Sequence, residues 1–142
     1  MSLTTGKSDM SYHFDFDSTH RIIRCRFDGR VTDQILKEYY GVAPRYVLLK
    51  SPCAGILDMS AVTSIDISQQ TIRELANSPP TIPEPASPRF IIAPSNQVFG
   101  IARMFELQGQ DARPNLHVVR SVKEILAILG IRNTRFEPIQ TE

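Results

Sequence analysis

The sequence predicts an α/β domain with a mostly parallel sheet of about five strands and helices mainly on one face of it. Near the N-terminus, residues 12–17 and 22–27 alternate apolar and polar side chains with a period of two, which is typical of a β-hairpin with one buried face. From residue 53 onward, short apolar runs alternate with segments whose apolar residues recur every three or four positions, the pattern of successive strand–helix units. Right-handed crossovers between neighbouring strands place such helices mainly on one side of the sheet.

The polar face of the predicted hairpin carries charges of both signs. Asp15 and Asp17 on its first strand face Arg24 and Arg26 on its second. Opposite charges at opposed strand positions attract each other. We therefore expect cross-strand ion pairs on this face, which the helices leave uncovered.

A helix is predicted after the hairpin, because Thr32 and Asp33 are suited to capping a helix N-terminus. Gly41 and Pro44 fall within its apolar pattern, so a kink or a break into two pieces is expected there. The later elements are a strand at 53–57, a helix at 68–77 with a capping box formed by Asp66 and Gln69, a strand at 90–93, a helix at 98–108, a strand at 116–119 and a helix at 121–129.

The chain is predicted to contain one domain, over residues 11–130. Residues 78–88 hold five of the ten prolines, which predicts an extended surface loop rather than a boundary between domains. We expect residues 1–10 to be a disordered N-terminus or a tag remnant. Residues 131–142 have no strong pattern and are expected to be a tail that frays or packs irregularly.

Composition and charge exclude several classes of function. A formal net charge of +1 over 142 residues gives no overall field that would attract nucleic acid. No run approaches the ~18 consecutive apolar residues of a membrane-spanning helix, and the first nine residues lack the apolar core of a secretory signal. We therefore expect a cytoplasmic protein without an integral membrane segment. Cys25 and Cys53 lie in apolar runs and are expected to be buried, reduced thiols.

The sequence lacks the motifs of common enzymes. His13, His20 and His117 are scattered and no pair has the spacing of metal ligands, so no metal site is expected. There is no Gly-x-Ser-x-Gly elbow, no Walker-type loop and no Gly-x-Gly-x-x-Gly loop. We therefore expect neither a cofactor nor an enzymatic activity.

The chemically distinctive residues lie where predicted strands end and helices begin. Asp58, Ser60, Asp66 and Ser68 follow the strand at 53–57. Ligands of open α/β sheets bind at the carboxyl ends of strands, so we expect these side chains to converge at one edge of the sheet. Asp, Ser and Asn are also the ordinary residues of helix caps and turns, and that structural interpretation stays open.

A second candidate surface lies on the neighbouring strand–helix unit. Ser95 and Asn96 belong to the loop before the helix at 98–108, Phe99 and Arg103 lie on that helix, and Arg120 ends the last strand. Phe99, Met104 and Phe105 cannot all share one helical stripe, so part of this apolar surface is expected to face a partner or a ligand. The two arginines would suit an anion or an acidic partner, or they are solvated surface residues.

Two short motifs give the chain its resemblance to a known family. Residues 57–60 (LDMS) and 65–68 (IDIS) resemble the STAS domain of anti-sigma-factor antagonists, whose apolar strand runs into an Asp-x-Ser-like turn and then Asp-Ser-Ser/Thr-Gly at a helix start. The order of elements over residues 11–130 is similar as well. The segment at 88–105 resembles more closely the small stand-alone bacterial STAS-like proteins of unassigned function.

The resemblance implies a fold and a class of function. In signalling STAS proteins, a partner kinase phosphorylates one hydroxyl of the second motif and so switches affinity for an anti-sigma factor. This chain keeps Asp66 and Ser68 of that motif but has Ile67 and Gln69 where a hydroxyl residue and glycine are expected. The resemblance therefore implies the fold and a role in protein–protein contact more strongly than it implies a phospho-switch.

Two functions from different classes follow. The first is a non-enzymatic regulatory module that binds a protein, such as an anti-sigma factor or a kinase, through residues 58–68 and the helix after them. The alternative is a binding module for a small apolar or anionic ligand, such as a lipid or acyl metabolite, with Phe99, Met104 and Phe105 as an apolar wall beside Arg103. A homodimer formed through the hairpin edge is a further expectation.

Overall fold

The computed structural model describes residues 11–139. Within them, a six-stranded sheet has the order β5-β4-β3-β2-β1-β6. Strands β2 to β5 run parallel, and β1 is antiparallel to both β2 and β6. The elements in chain order are β1 (Tyr12–Asp17), β2 (Ile22–Thr32), α1 (Asp33–Lys50), β3 (Ala54–Asp66), α2 (Gln69–Ala76), β4 (Arg89–Ile92), α3 (Asn96–Gln108), β5 (Leu116–Val119), α4 (Val122–Leu129) and β6 (Glu137–Pro138). The predicted α/β fold is confirmed, with one strand more than expected.

The sheet is covered unequally on its two faces. Phe27 and Ile91 pack on one face in a cluster that includes Leu36 of α1 and residues of α2 and α3. Phe90, the neighbour of Ile91 in β4, points to the other face and packs with Ile125 of α4. Successive residues of a strand point to opposite faces, so three helices lie on one face and α4 on the other. The prediction of helices mainly on one face is confirmed.

The predicted hairpin is confirmed, and its two strands pair in one register from end to end. Asp15 lies opposite Arg24. The Arg24 guanidinium donates to both carboxylate oxygens of Asp15 at 2.8 Å, and Nε of Arg26 donates to Oδ2 of Asp15 at 3.3 Å. The sequence predicts that this face is uncovered, but Phe136 lies over it. The centroid of the Phe136 ring is 4.0 Å from the guanidinium carbon of Arg24. The predicted cross-strand pairing is confirmed for Asp15.

Asp17 does not join this pairing. Its carboxylate is fully buried and accepts hydrogen bonds from the backbone N–H groups of Thr19, His20 and Arg135 and from the His20 ring. Burial favours the neutral acid, but these hydrogen bonds outweigh it and lower the pKa of Asp17 below its usual value. Asp17 therefore closes the hairpin turn instead of forming an ion pair with an arginine.

Helix α1 runs without interruption through Gly41 and Pro44, so the expected break into two pieces is wrong. A proline inside a helix removes one backbone hydrogen bond. Leu36 and Ala43, on either side of Gly41, are both buried against the sheet. This packing holds the two ends of the helix on one surface despite the missing hydrogen bond.

Strand β3 is longer than predicted. The sequence predicts a strand that ends at residue 57, and the family resemblance implies a turn at 58–60. Instead β3 continues to Asp66, where it stays paired with β2, which extends to Thr32. The pairing shifts register between Arg26 and Asp28 and again between Gly29 and Arg30, and Gly29 adopts a φ of +67°. Glycine adopts this left-handed conformation without the clash of a Cβ atom. The predicted turn is therefore wrong.

The proline loop, residues 78–88, contains no helix or strand, as predicted. It is attached to the domain by Ile82, which is buried beside Phe16 and Ile23 of the hairpin. Gly55 of β3 leaves room for it, since a Cβ atom there would lie 2.9 Å from Cδ1 of Ile82. The loop is thus fixed against the sheet at its centre.

The described part of the C-terminal tail is ordered against the hairpin rather than frayed. Strand β6 pairs with β1, and Ile139 is buried. Strand β6 therefore covers part of the outer edge of the hairpin, at Asp15 and Phe16. The homodimer stays a prediction.

Cys25 is buried as expected, whereas Cys53 precedes β3 and is exposed. No helix in the described part of the chain has both the length and the apolar character to cross a membrane. The expectation for residues 1–10 lies outside the described residues.

Candidate functional site

The predicted site residues do not converge on one place. Asp58 and Asp66 both belong to β3, and eight residues of extended strand span roughly 26 Å at ~3.3 Å per residue. Even with the irregular pairing of β3, the two carboxylates lie at different ends of this segment. The candidate residues form two groups: the β3–α2 corner (Asp66, Ser68 and their partner Asp33) and the α3 cluster (Ser95, Asn96, Phe99 and Arg120).

Ser68 is the N-cap residue of α2. Its Oγ accepts a hydrogen bond from the backbone N–H of Thr71 at 3.1 Å and donates to Oγ1 of Thr71 at 3.1 Å. Asp66 lies two residues before the cap, so the predicted capping box of Asp66 and Gln69 is wrong. The Ser68 residue is exposed at the surface, while its hydroxyl is partly buried and engaged with Thr71.

Asp33 connects the N-termini of α1 and α2. Its Oδ1 accepts a hydrogen bond from the backbone N–H of Ser68 at 2.9 Å. This hydrogen bond is the main reason that the pKa of Asp33 lies below its usual value. The carboxylate is therefore ionised at neutral pH and adds a negative charge next to Ser68. Sequence reasoning treated Asp33 only as a helix-capping residue, because the contact joins residues 35 positions apart.

Asp66 presents its carboxylate to solvent at the end of β3. Nη2 of Arg30, on the paired end of β2, donates to Oδ2 of Asp66 at 3.0 Å. Both side chains are mostly exposed. An exposed pair of this kind contributes little to stability, so Asp66 is available for contact with a partner.

Asp58 and Ser60 lie apart from this corner. Oδ1 of Asp58 accepts a hydrogen bond from the backbone N–H of Ser60 at 2.9 Å, a local contact within β3. In the sheet, Asp58 is paired with Arg26 of β2 and with Ile92, the last residue of β4. These two residues therefore shape β3 near the middle of the sheet and do not reach Ser68.

The α3 cluster is held together by Arg120. Its Nη1 donates to the carbonyl of Pro94 at 3.0 Å and to Oδ1 of Asn96 at 2.9 Å. Its guanidinium carbon lies 3.9 Å from the centroid of the Phe99 ring, in a cation–π contact. Ser95 caps α3 by accepting from the backbone N–H of Val98 at 3.2 Å. The polar groups of this cluster are thus largely used to connect β5 to the start of α3.

Arg103 does not join Arg120. It pairs with Glu106 one turn further along α3. The two arginines predicted as a joint anion site are therefore each committed to a local partner. Across residues 11–139, no three His, Cys, Asp or Glu side chains are grouped as metal ligands would be.

Sequence reasoning missed two arginines, Arg89 and Arg113, that the structure buries under the proline loop. Arg89 begins a strand and Arg113 lies in a polar loop, positions where arginine is normally exposed. Their burial depends on carbonyl groups presented by the proline loop and the end of α2. A sequence pattern carries no signal for such contacts.

Comparison with solved structures confirms the predicted STAS-like fold. The chain is similar to the anti-sigma factor antagonist SpoIIAA in its unphosphorylated form, with a TM-score of 0.57 and 14% identity over 86% of this chain and 99% of that chain. It is also similar to the phosphorylated form of SpoIIAA, a Bacillus cell fate determinant, with a TM-score of 0.51 and 11% identity over 82% of this chain and 98% of that chain. No protein-family model and no curated protein matches the chain. At these identities the likeness shows the fold alone.

Proposed function

We propose that this chain is a non-enzymatic regulatory module of the STAS type that binds a protein partner through the β3–α2 corner and the outer face of α2. The observation that carries the proposal is the exposure of Ser68 and Asp66 at the start of α2. The fold likeness to an anti-sigma factor antagonist supports it. An anti-sigma factor or its kinase is therefore the first class of partner to test.

The outer face of α2 continues this surface. Ile72 and Leu75 point into the core, whereas the other side of the helix is exposed and polar. The exposed residues of α2 are Gln69, Gln70, Arg73 and Glu74. A polar helix face next to two exposed polar side chains suits a reversible contact with another protein, in which hydrogen bonds and charges set specificity.

Phosphorylation of Ser68 is a further part of this proposal. A phosphate on Oγ would bring about −1.5 to −2 charges and three acceptor oxygens to a helix N-terminus, which stabilises anions. The same phosphate would lie beside the ionised carboxylate of Asp33, which already accepts from the Ser68 backbone. Repulsion between the two groups would weaken the link between α1 and α2. A modification at this position would therefore change the surface that the partner contacts.

The proposal is tested with variants that change the charge of the β3–α2 corner. We expect Ser68→Glu and Asp66→Ala each to change the amount of protein partner that co-purifies with the tagged chain from its own cells. The matched control is Ser121→Glu, which changes the exposed N-cap of α4. Helix α4 lies on the opposite face of the sheet.

Quantitative mass spectrometry of the recovered proteins measures the effect. A stoichiometric partner that is lost or enriched with Ser68→Glu and unchanged with Ser121→Glu supports the assignment. Identical recovery from all variants and the unaltered protein would show that the β3–α2 corner is not the contact surface. Circular dichroism of each variant verifies that the domain remains folded.

A further inference from the structure

Arg89 and Arg113 are two buried cations on the helix-covered side of the sheet. Arg89 is the first residue of β4 and is 8% exposed, and Arg113 lies shortly before β5 and is 5% exposed. Arginine is almost never buried to this extent without a partner of opposite charge. Their surroundings therefore require an account of how the charges are satisfied.

Backbone carbonyl groups satisfy part of Arg89. Its Nε donates to Ser87 at 3.1 Å, its Nη1 to Ile82 at 3.0 Å and its Nη2 to Glu84 at 2.6 Å, in each case to the main-chain oxygen. A guanidinium has five N–H groups. These three hydrogen bonds therefore leave two N–H groups of Arg89 to donate elsewhere.

Arg113 is held in the same way by the end of α2. Its Nη1 donates to the carbonyl of Ala76 at 3.0 Å, and its Nη2 donates to the carbonyls of Leu75 and Ser78 at 3.2 and 3.0 Å. The guanidinium carbon also lies 4.8 Å from the centroid of the Phe105 ring. As in Arg89, three of the five N–H groups are engaged by main-chain oxygens.

Neither guanidinium forms an ion pair. The salt bridges within residues 11–139 involve other arginines, a lysine and two histidines, and none includes Arg89 or Arg113. Burial lowers the pKa of Arg89, and the neighbouring charge of Arg113 lowers it further. Two like charges are thus held near each other in a poorly solvated place, where an anion would be attracted strongly.

A partly open cavity of about 70 Å³ is lined by both arginines. Its wall includes Tyr40, whose phenol has its pKa raised by burial and therefore keeps its proton at neutral pH. Much of the remaining wall is apolar and includes Phe14, Ile23 and Leu116. One water molecule needs roughly 10–15 Å³ on this scale, so the cavity has room for roughly five to seven atoms of that size.

We propose that this cavity binds a small organic carboxylate, about the size of butyrate, with the carboxylate held by Arg89 and Arg113 and the hydrocarbon portion against the apolar wall. Two guanidinium groups offer the planar donor geometry that a carboxylate accepts in bidentate fashion. The proposal moves the predicted ligand site away from Phe99 and Arg103, since neither residue lines any of the three main cavities of the described chain. It does not depend on the protein-binding role of the β3–α2 corner.

The proline loop forms part of the wall of this cavity. Val47, Thr81 and Ile82 line both the cavity and an outer groove of about 560 Å³. Ile82 is fixed by burial but belongs to a loop without regular secondary structure. Shortening this side chain in Ile82→Ala is expected to accelerate binding without removing either arginine.

The first test compares butyrate with butyramide on the unaltered protein. The two probes have the same shape and differ in charge, so binding of butyrate alone requires a cationic site. We expect the Nε–H signals of Arg89 and Arg113 in ¹H–¹⁵N spectra to shift with butyrate in a saturable manner, while that of Arg120 stays unchanged. Equal shifts with both probes, or no saturable shift with either, would overturn the proposal.

Inorganic phosphate and two variants complete the test. Binding of phosphate as tightly as butyrate would overturn the carboxylate assignment, because phosphate makes no use of the apolar wall. Arg89→Lys is expected to weaken butyrate binding roughly tenfold to a hundredfold, as the loss of charge-assisted hydrogen bonds predicts. The surface change Arg120→Lys should leave it unaltered. If Arg89→Lys does not fold, Ala43→Val narrows the cavity and leaves both arginines intact. This variant is expected to weaken the binding of butyrate more than that of acetate. Equal weakening of both would show that butyrate does not bind in this cavity.

Discussion

Two Asp–Arg pairs in the sheet differ mainly in burial, and they allow a matched prediction of what each aspartate contributes to stability. Asp15 is 5% exposed and receives two hydrogen bonds of 2.8 Å from Arg24, with Arg26 as a further partner. Asp66 is 73% exposed and receives one hydrogen bond of 3.0 Å from Arg30. Both aspartates lie on strands and contact an arginine of β2.

The expected effects on the free energy of unfolding differ severalfold. Removing one partner of a fully buried ion pair destabilises by about 3–5 kcal/mol. The side chain of Arg24 is 23% exposed and so keeps contact with water. We therefore expect Asp15→Ala to lower the free energy of unfolding by about 2–3 kcal/mol. For a domain of this size that corresponds to a fall in Tm of about 5–10 °C. Asp66→Ala should change the free energy of unfolding by less than about 1 kcal/mol.

Urea unfolding followed by far-UV circular dichroism measures both variants, since the chain contains no tryptophan for fluorescence. Double-mutant cycles with Arg24→Ala and Arg30→Ala separate each pair from other effects of the substitutions. Equal destabilisation by the two aspartate variants would refute the reasoning from burial. A large effect of Asp66→Ala would also disqualify that variant as a probe of partner binding.

Three further predictions concern buried groups. The ordinary pKa of an aspartate such as Asp17 is 3.8, and hydrogen bonds lower it in the folded protein. The contribution of Asp17 to the free energy of unfolding is therefore complete above about pH 4 and is lost as the pH falls through the lower, folded-state pKa. The difference in urea midpoint between the unaltered protein and Asp17→Asn should therefore shrink in acid, and a constant difference would contradict this. Gly55→Ala adds a methyl group that collides with Ile82. It should lower the free energy of unfolding by about 1–3 kcal/mol and speed proteolysis of the proline loop. An unchanged cleavage rate would show that Ile82 does not fix the loop against the sheet. Burial raises the pKa of Cys25, so a thiol reagent should modify Cys53 in the folded protein and Cys25 only after unfolding; equal rates would contradict the burial of Cys25.

Periodic patterns made much of the fold predictable. The hairpin alternates every second residue over both strands, so the placement of Asp15 on the same face as Arg24 and Arg26 follows from the sequence. The helix after β4 was located from its apolar stripe, and the helix after β3 was located although its predicted capping box is wrong. The observed N-caps of the two helices are Ser68 and Ser95. These are local signals, and local signals can be read from one chain.

The errors arose where distant parts of the chain decide the outcome. Asp17 is buried because the backbone of Arg135, 118 residues away, donates to it. Strand β3 extends to Asp66 only because β2 extends alongside it through an irregular pairing. That extension separates Asp58 from Ser68, which the sequence had placed together. Neither the tail pairing nor the irregular register has a periodic signature.

The candidate sites show the same limit. Ser68 was predicted as a candidate for modification or partner contact, but its role as the N-cap of α2 was not predicted. Its link to Asp33 of α1 depends on how two helices pack. Arg113 had no local feature that indicated burial, because its partners are main-chain carbonyls at the end of α2. Main-chain groups are the same for every residue type, so the sequence does not identify them as partners.

Hydrogen–deuterium exchange on the purified complex with its protein partner tests the central claim most directly. The proposed role of the β3–α2 corner predicts slower exchange over residues 66–77 when the partner is bound, and unchanged exchange in α4 on the opposite face of the sheet. Protection confined to α4, or to any surface that leaves residues 66–77 unaffected, would contradict the account.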